Sequence, residues 1–380
     1  MRILCVIPTM GPGGAERAMS HLVSHLSKRH AVTLLTFEKP DTASFYPLPD
    51  TVEYLRIDTL GGHTLRRFVR ILSRPKMIRQ AVRTLGPNLV ISFMDTTNIM
   101  TVVGCLGLGI PIVVSERIDP SHHRIGWAKE LARTYTYPLA RFIVVPTTRV
   151  ATYFPTSLQP KIRIIGNPVP RAPLVAQPSV ADMSGRKRVI AVGRCELQKG
   201  FDRLIDAFAL IASDHDDWDL VIIGDGPERP RLQARVRRLG LGARIYLKGI
   251  VSDVFQELAA SHLMAFPSRY EGFPNALAEG LAIGLPAVGH KGVSGVEDLI
   301  VDGATGLLVD QAEGIAGLAR ALSTLMGDAD YRIKLGQEAR RHVGQWAPGR
   351  MFALWEDMLT EAEGGLSSAM GRGVRVGSAD

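Results

Sequence analysis

Two carboxylates frame a proline in the stretch SRYEGFPNALAEG at 268–280: Glu271 precedes it and Glu279 follows. Proline suits the first turn of a helix, where the amide it lacks has no intrahelical acceptor. A helix is therefore predicted to begin at Phe273 or Pro274. Its first amides, from Asn275 onward, form a positive end able to hold phosphate oxygens, and Ala276 and Ala278 permit close approach. Glu271 then lies in the loop before that end, and Glu279 lies inside the helix on the face of Asn275. One carboxylate reaches each side of a bound diphosphate. The alternative is that Glu271 caps the helix and Glu279 is a solvated surface residue.

A diphosphate needs compensating charge. VGRCELQKG at 192–200 supplies Arg194 at the end of a strand and Lys199 in the short loop after it, while no Asp-x-Asp or metal-ligand cluster stands there. Both cations are predicted to project from the carboxyl edge of a sheet, where open α/β folds bind ligands; solvated loop charges are the alternative. Carboxylates beside a phosphate cradle make electrostatic sense when they accept from neutral hydroxyls flanking it, a ribose on one side and a sugar on the other. A nucleotide sugar has that layout.

A second glycine-bearing turn, GPGGAER at 11–17, links the first strand to the first helix and permits backbone approach to an anion. It admits a rival reading, because Glu38 ends the next strand at the distance from which a carboxylate binds the ribose of NAD. Gly11, Gly13 and Gly14 do not satisfy G-x-G-x-x-G, which weakens that reading. The segment HTLRRFVRILSRPKMIRQAVRTLG at 63–86 carries Arg66, Arg67, Arg70, Arg74, Lys76, Arg79 and Arg83 without an acidic interruption. Its apolar stripe makes it a basic amphipathic segment, suited to anionic headgroups, to a lipid diphosphate, or to simple packing on a sheet. Pro75 is expected to start a new helical piece.

The elements that must position these residues alternate. RILCVI, AVTLLTF, VEYLRI, NLVISF, IPIVV and RFIVVP are strand candidates separated mostly by helical patterns, which predicts a parallel sheet covered on both faces. The pattern stops at KIRIIGNPVPRAPLVAQP, read as a linker, and resumes with KRVIAVG, WDLVIIG, ARIYLKG, HLMAFP and LPAVGH. The fold class is therefore α/β, two tandem doubly wound Rossmann-like domains at 1–167 and 168–347. A final helix at 348–363, with Met351, Leu354, Trp355 and Leu359 on one face, is free to pack on either domain, and 364–380 reads as a disordered tail.

Composition bounds the rest. The chain has 380 residues, 46% hydrophobic and 22% charged, which excludes wholesale disorder, and its net charge of +8 favours an anionic partner. Cys5, Cys105 and Cys195 lie far apart and read as buried thiols rather than a disulfide framework. The apolar start is too short for a secretory signal, and 99–114 is broken by glycines and Pro111, so export and membrane spanning are not expected.

Together these residues resemble the retaining glycosyltransferases of GT-B fold, family 4, over nearly the whole chain. The specific matches are GGAER at 13–17, VGR with Lys199 and Gly200, GDGP at 224–227 and EGFPNALAEG at 271–280; LPAVGHKGVSGVEDLIVDGATGLLV continues the family pattern to its last strand. The resemblance implies a deep interdomain cleft, no cofactor and no metal. It implies that Arg194 and Lys199 bind the diphosphate, Glu279 the ribose and Glu271 the donor sugar, with Glu271, Arg194 and Lys199 as the catalytic set. Backbone at Gly13, Gly14, Phe273, Pro274 and Asn275 would complete the cradle.

Within the family, SFMDTTN at 92–98 and the basic segment resemble bacterial enzymes that add N-acetylgalactosamine or related hexoses to polyprenyl-diphosphate-linked glycans. That likeness assigns Glu16, Arg66, Arg70, Arg74, Asp95 and Arg117 to the acceptor. Many members carry His after the strand that here reads IPIVVSERIDP; Arg117 stands there instead and cannot carry a proton at ordinary pH. Arg117, with Asp119 nearby, is a candidate for donor phosphate or acceptor. The implied activity is hexosyl or N-acetylhexosaminyl transfer from a nucleoside diphosphate sugar, UDP-linked, to a lipid-linked glycan at the inner face of the cytoplasmic membrane. Anionic membrane is an expected partner and nucleic acid is not. The alternatives are an NAD-dependent oxidoreductase and a non-catalytic nucleotide-sugar-binding protein.

Overall fold

A computed structural model describes residues 1–57, 64–123, 125–180 and 185–370, with side chains described outside 64–72 and 364–370. The chain forms two compact units, Met1–Pro168 joined by the segment from Gly349 onward, and Val169–Pro348. Each is built on a parallel sheet.

The first unit contains β1 (Arg2–Val6), α1 (Gly14–Leu26), β2 (Ala31–Thr36), β3 (Val52–Arg56), α2 (Thr64–Leu85), β4 (Leu89–Phe93), α3 (Asp95–Cys105), β5 (Ile112–Ser115), α4 (Trp127–Thr136), β6 (Phe142–Val145), α5 (Thr148–Thr152) and β7 (Ile162–Ile164). The strand order is β3-β2-β1-β4-β5-β6-β7. From β3 across to β4 and on to β7 the chain always moves the same way along the sheet, and right-handed crossovers therefore lay α2, α3, α4 and α5 on one face. Leu4, Val6, Val90, Val114 and Val145 meet Ile78, Val82, Val102, Val150 and Phe154 there. The step from β1 to β2 runs the other way and puts α1 on the opposite face.

The second unit contains β8 (Lys187–Val192), α6 (Phe201–Ile211), β9 (Trp218–Ile223), α7 (Arg229–Arg238), β10 (Ile245–Gly249), α8 (Val254–Ala259), β11 (Leu263–Phe266), α9 (Asn275–Ala282), β12 (Ala287–His290), α10 (Val296–Leu299), β13 (Gly306–Val309), α11 (Gly314–Gly327) and α12 (Ala329–Val343). Its order is β10-β9-β8-β11-β12-β13. Alternate residues of β8 face opposite ways: Val189 and Ala191 pack with α6 and α11, and Ile190 packs with α9 and α10.

The last helix, α13 (Pro348–Met370), returns to the first unit. Phe352 stacks on His25 of α1 at 4.3 Å, and Trp355 stacks on Phe93 of β4 at 6.1 Å.

Four details differ from the sequence reading. Ile162–Ile164, inside the segment read as a linker, is edge strand β7, paired with β6; three residues beside prolines carry too little pattern to register as a strand. Pro75 lies inside a continuous α2 rather than starting a new piece. Its carbonyl abuts Gly104 of α3, where a Cβ would approach to 2.6 Å, so close packing supports the helix through the missing hydrogen bond. Helix α9 begins at Asn275 with Pro274 as its N-cap, one residue later than Pro274 at first helical position would give. Helix α13 continues to Met370 through Gly364 and Gly365, because glycine costs about 1 kcal/mol relative to alanine and does not by itself end a helix. Residues 371–380 lie outside the described residues.

Candidate active site

In the second unit the chain departs from β8 toward β9 and β10 on one side, and β11 leads to β12 and β13 on the other. Strands β8 and β11 are neighbours, so the loops leaving their carboxyl ends flank the switch point where open α/β sheets bind ligands. Those loops are 193–200 and 267–274, which carry Arg194, Lys199 and Glu271.

Glycine geometry shapes the first loop. Gly224 lies so close that a Cβ would stand 2.0 Å from the Gly193 carbonyl, and at Gly226 it would stand 2.6 Å from the Cys195 carbonyl. GDGP is therefore the platform against which VGRC folds, fastened by Cys195 N donating to the Asp225 carbonyl at 2.8 Å. Gly200, at φ +69, abuts the Pro267 carbonyl. The two loops are also stapled polarly: Gln198 Nε2 donates to the Tyr270 carbonyl at 2.8 Å, and Arg269 grips Asp202 through two hydrogen bonds of 3.0 and 2.8 Å.

This scaffold brings Lys199 Nζ to 2.6 Å from Glu271 Oε1. Glu271 is buried and Lys199 half-buried, with its ammonium 5.6 Å from the centre of the Phe266 ring. Arg194 is 66% exposed and 3.0 Å from Glu196. Phe273 is buried, and Pro274 is abutted by Gly295, whose φ of +75 and missing side chain let the loop after β12 lie over the turn. Asn275 N donates to the Phe273 carbonyl at 3.0 Å, so the first-turn amides left for an anion begin at Ala276 rather than Asn275. Glu279 is buried, contrary to the solvated alternative. Gly280 lets α9 press on β11, since a Cβ there would meet Met264 Sδ at 2.4 Å.

The first unit has its own switch point between β1 and β4. Gly13 is the N-cap of α1, and Glu16 folds back over it to accept from Thr9 Oγ1 at 3.2 Å; Gly14 opens the helix. After β4, Met94 has a φ of 78, rare for a residue with a side chain, and delivers the buried Asp95 to the start of α3. Asp95 Oδ2 lies 3.5 Å from His123 Nε2, and Asp119 Oδ2 lies 3.2 Å from His122 Nδ1. Arg117 Nη1 donates to Asn167 Oδ1 at 2.9 Å, and its guanidinium lies over Phe93 and Trp355. Burial lowers its pKa to about 9. Arg74 lies over the Phe37 ring at 4.4 Å. The side chains of Arg66 and Arg70 lie outside the described residues.

One cluster has no sequence signal. Glu116 is buried beneath α4, accepts from Tyr137 Oη at 2.5 Å and lies 3.5 Å from Arg133 Nε. Burial raises its pKa to about 7 against the opposing pull of Arg133.

Residues 12–172 match the family described as Glycosyltransferase Family 4, and residues 177–342 match Glycosyl transferases group 1. The chain belongs to glycosyltransferase family 4. Among curated relatives, this glycosyltransferase is 27% identical, over 96% of its length and 99% of the relative's, to a Campylobacter jejuni protein. That protein is named GalNAc-alpha-(1->4)-GalNAc-alpha-(1->3)-diNAcBac-PP-undecaprenol alpha-1,4-N-acetyl-D-galactosaminyltransferase. A second Campylobacter jejuni protein, an N-acetylgalactosamine-N,N'-diacetylbacillosaminyl-diphospho-undecaprenol 4-alpha-N-acetylgalactosaminyltransferase, is 25% identical over 88% of this chain and 92% of its own. The fold matches that of Anabaena HepE, crystallised with UDP and glucose, with a TM-score of 0.77 at 19% identity, covering 95% of this chain and 99% of that one. The dehydrogenase alternative finds no support. Glu38 accepts from Met10 N at 2.9 Å and from Tyr54 Oη at 3.1 Å, which makes it an internal brace of this glycosyltransferase.

Proposed function

We propose that this chain transfers a hexosyl or N-acetylhexosaminyl group, with retention and without a metal, from a UDP-linked sugar to a lipid-linked glycan in bacterial polysaccharide assembly. The observation that carries the reading is the Lys199–Glu271 pair at the switch point of the second unit, beside the amino end of α9. Family membership and the undecaprenol-linked substrates in the names of the two Campylobacter relatives support the acceptor class.

In this reading Lys199, Arg194 and the α9 amides from Ala276 place positive potential where the departing diphosphate gains negative charge. Lys199 and Glu271 hold each other in place beforehand. A phosphate oxygen takes over Lys199, and the Glu271 carboxylate turns to hydroxyls of the donor sugar, while Glu279 accepts from the ribose. Arg66, Arg70, Arg74, Asp95, Glu16 and Arg117 serve the acceptor, and the enzyme works peripherally at the inner face of the cytoplasmic membrane. Among the described residues no helix is long and apolar enough to cross a membrane.

The test is mass spectrometry of lipid-linked glycans after incubation with a panel of nucleotide sugars. Mass gain by one hexose or N-acetylhexosamine is expected with a UDP donor, and NMR of the product's anomeric proton reads retention. Near-normal turnover in both Arg194→Ala and Lys199→Ala would remove the mechanism.

A further inference from the structure

Helix α4 is inside out. It turns Arg133 toward the sheet, where Nη1 donates to Glu130 Oε2 at 3.1 Å and Tyr153 Oη at 3.3 Å, beside the buried Glu116. Its solvent side carries Trp127, Leu131 and Tyr135, which are 82%, 51% and 71% exposed. Residues four apart stand above one another on a helix, so these three form one stripe, continued in the following turn by Leu139 at 57% exposure. A surface helix ordinarily faces its apolar residues inward, and a contiguous exposed apolar stripe marks a place of interaction.

The charge of the surrounding layer selects the partner. Helices α2 to α5 share one face of the sheet, and their sequences contain only two acids, Asp95 and Glu130. Asp95 is buried beside His123 and Glu130 is tied to Arg133, so neither presents a bare carboxylate. Lys76, Arg83 and Lys129 are exposed on the same layer. On the other face, α13 exposes Asp357, Glu361 and Glu363. Tryptophan and tyrosine, with apolar bodies and polar tips, settle at the headgroup level of bilayers, and nearby cations are drawn to anionic headgroups.

We propose that the α4 stripe docks this chain on an anionic bilayer, with Trp127, Leu131 and Tyr135 seated at the boundary of headgroups and acyl chains and Lys76, Arg83 and Lys129 on lipid phosphates. The inference deepens the lipid-linked acceptor reading and rests on it for its purpose. It assigns the apolar part of the membrane contact to α4, which sequence reasoning passed over in favour of the basic run.

The experiment is flotation of the full chain with vesicles of phosphatidylglycerol and phosphatidylcholine, read beside tryptophan emission. The protein is expected to float with anionic vesicles and to shift its emission to the blue, and Trp127→Phe is expected to abolish the shift while keeping flotation. Replacing Trp127, Leu131 and Tyr135 together by serine is expected to weaken partitioning at least about tenfold, from the apolar area lost to the lipid. The three side chains point to solvent, so an unchanged melting temperature and unchanged transfer to a detergent-solubilised acceptor serve as fold controls. Equal flotation of the triple variant, equal binding to pure phosphatidylcholine, or dissociation of a dimer as its sole effect would overturn the proposal. Flotation without transfer to any lipid-linked glycan would instead sink the functional reading and leave the docking face standing.

Discussion

Lys199 Nζ and Glu271 Oε1 stand 2.6 Å apart although 72 residues separate them in the chain. Neighbouring strands and two stapled loops bring them together. Each partner keeps the other's charge compensated in a largely buried setting, so removing one leaves an unpaired charge. Lys199→Ala and Glu271→Ala are each expected to lower kcat by about 100-fold, and the double variant by less than the product of the two, because the pair acts as a unit. Steady-state kinetics at saturating donor checks both numbers; strict additivity would count against coupling.

Gly200 holds a φ of +69 against the Pro267 carbonyl, at the end of the loop that carries Lys199. Gly200→Ala forces both a strained backbone and a steric shift. A loss of about 1–3 kcal/mol is expected from the urea midpoint, accompanied by reduced turnover as Lys199 moves from Glu271.

Glu116 titrates about 7 when folded, against an ordinary value of 4.5, chiefly because burial disfavours its charge. As pH rises from 4.5 toward 7 the unfolded chain releases this proton before the folded chain does. This group's stabilising contribution is therefore full below that window and is lost across it, levelling off above pH 7. The span is roughly 3 kcal/mol at most. Glu116→Gln keeps an acceptor for Tyr137 and is expected to flatten the slope, measured as the difference between wild-type and variant urea midpoints from pH 5 to pH 8.

Trp355 of α13 covers both Phe93 and Arg117 of the first unit. Trp355→Ala is expected to cost about 3–5 kcal/mol, the usual loss for a fully buried large aromatic. Denaturation followed by near-ultraviolet circular dichroism reads it, and a change below about 1 kcal/mol would mean that α13 is not docked in solution.

Glu38 is buried and braces Met10 and Tyr54, so it is not expected to take up the ribose of NAD at the end of β2. Thermal-shift measurements with UDP, GDP and NAD are expected to show stabilisation by UDP, equivalent to about 2.7 kcal/mol at a hundredfold excess over Kd. NAD is expected to have no effect.

The motif-bearing loops were legible because short motifs act locally: glycine, proline and charge at fixed spacing announce a turn and a helix start. Eleven strand candidates stood out because a fully covered parallel strand is a continuous apolar run. Strand β7 has only three residues, and β13, though as long as β5 or β12, follows a glycine- and threonine-bearing turn and is only partly buried, so neither stood out as such a run. The pairing of Lys199 with Glu271 was not legible, because it depends on β8 lying beside β11, and strand order leaves no mark on either strand's sequence. The Glu116–Arg133–Tyr137 cluster was hidden for a related reason. A charged residue on a helix reads as a solvent-facing position, and only the structure shows α4 turned the other way.

The return of α13 makes the first unit discontinuous in the chain, with the second inserted between its parts. During synthesis, every codon of the second unit is read before that of Trp355. The amino-terminal sheet must therefore wait, its Phe93 and Arg117 uncovered by Trp355, until the whole of the second unit has been translated. Any truncation that removes α13 would strike the half of the enzyme made first.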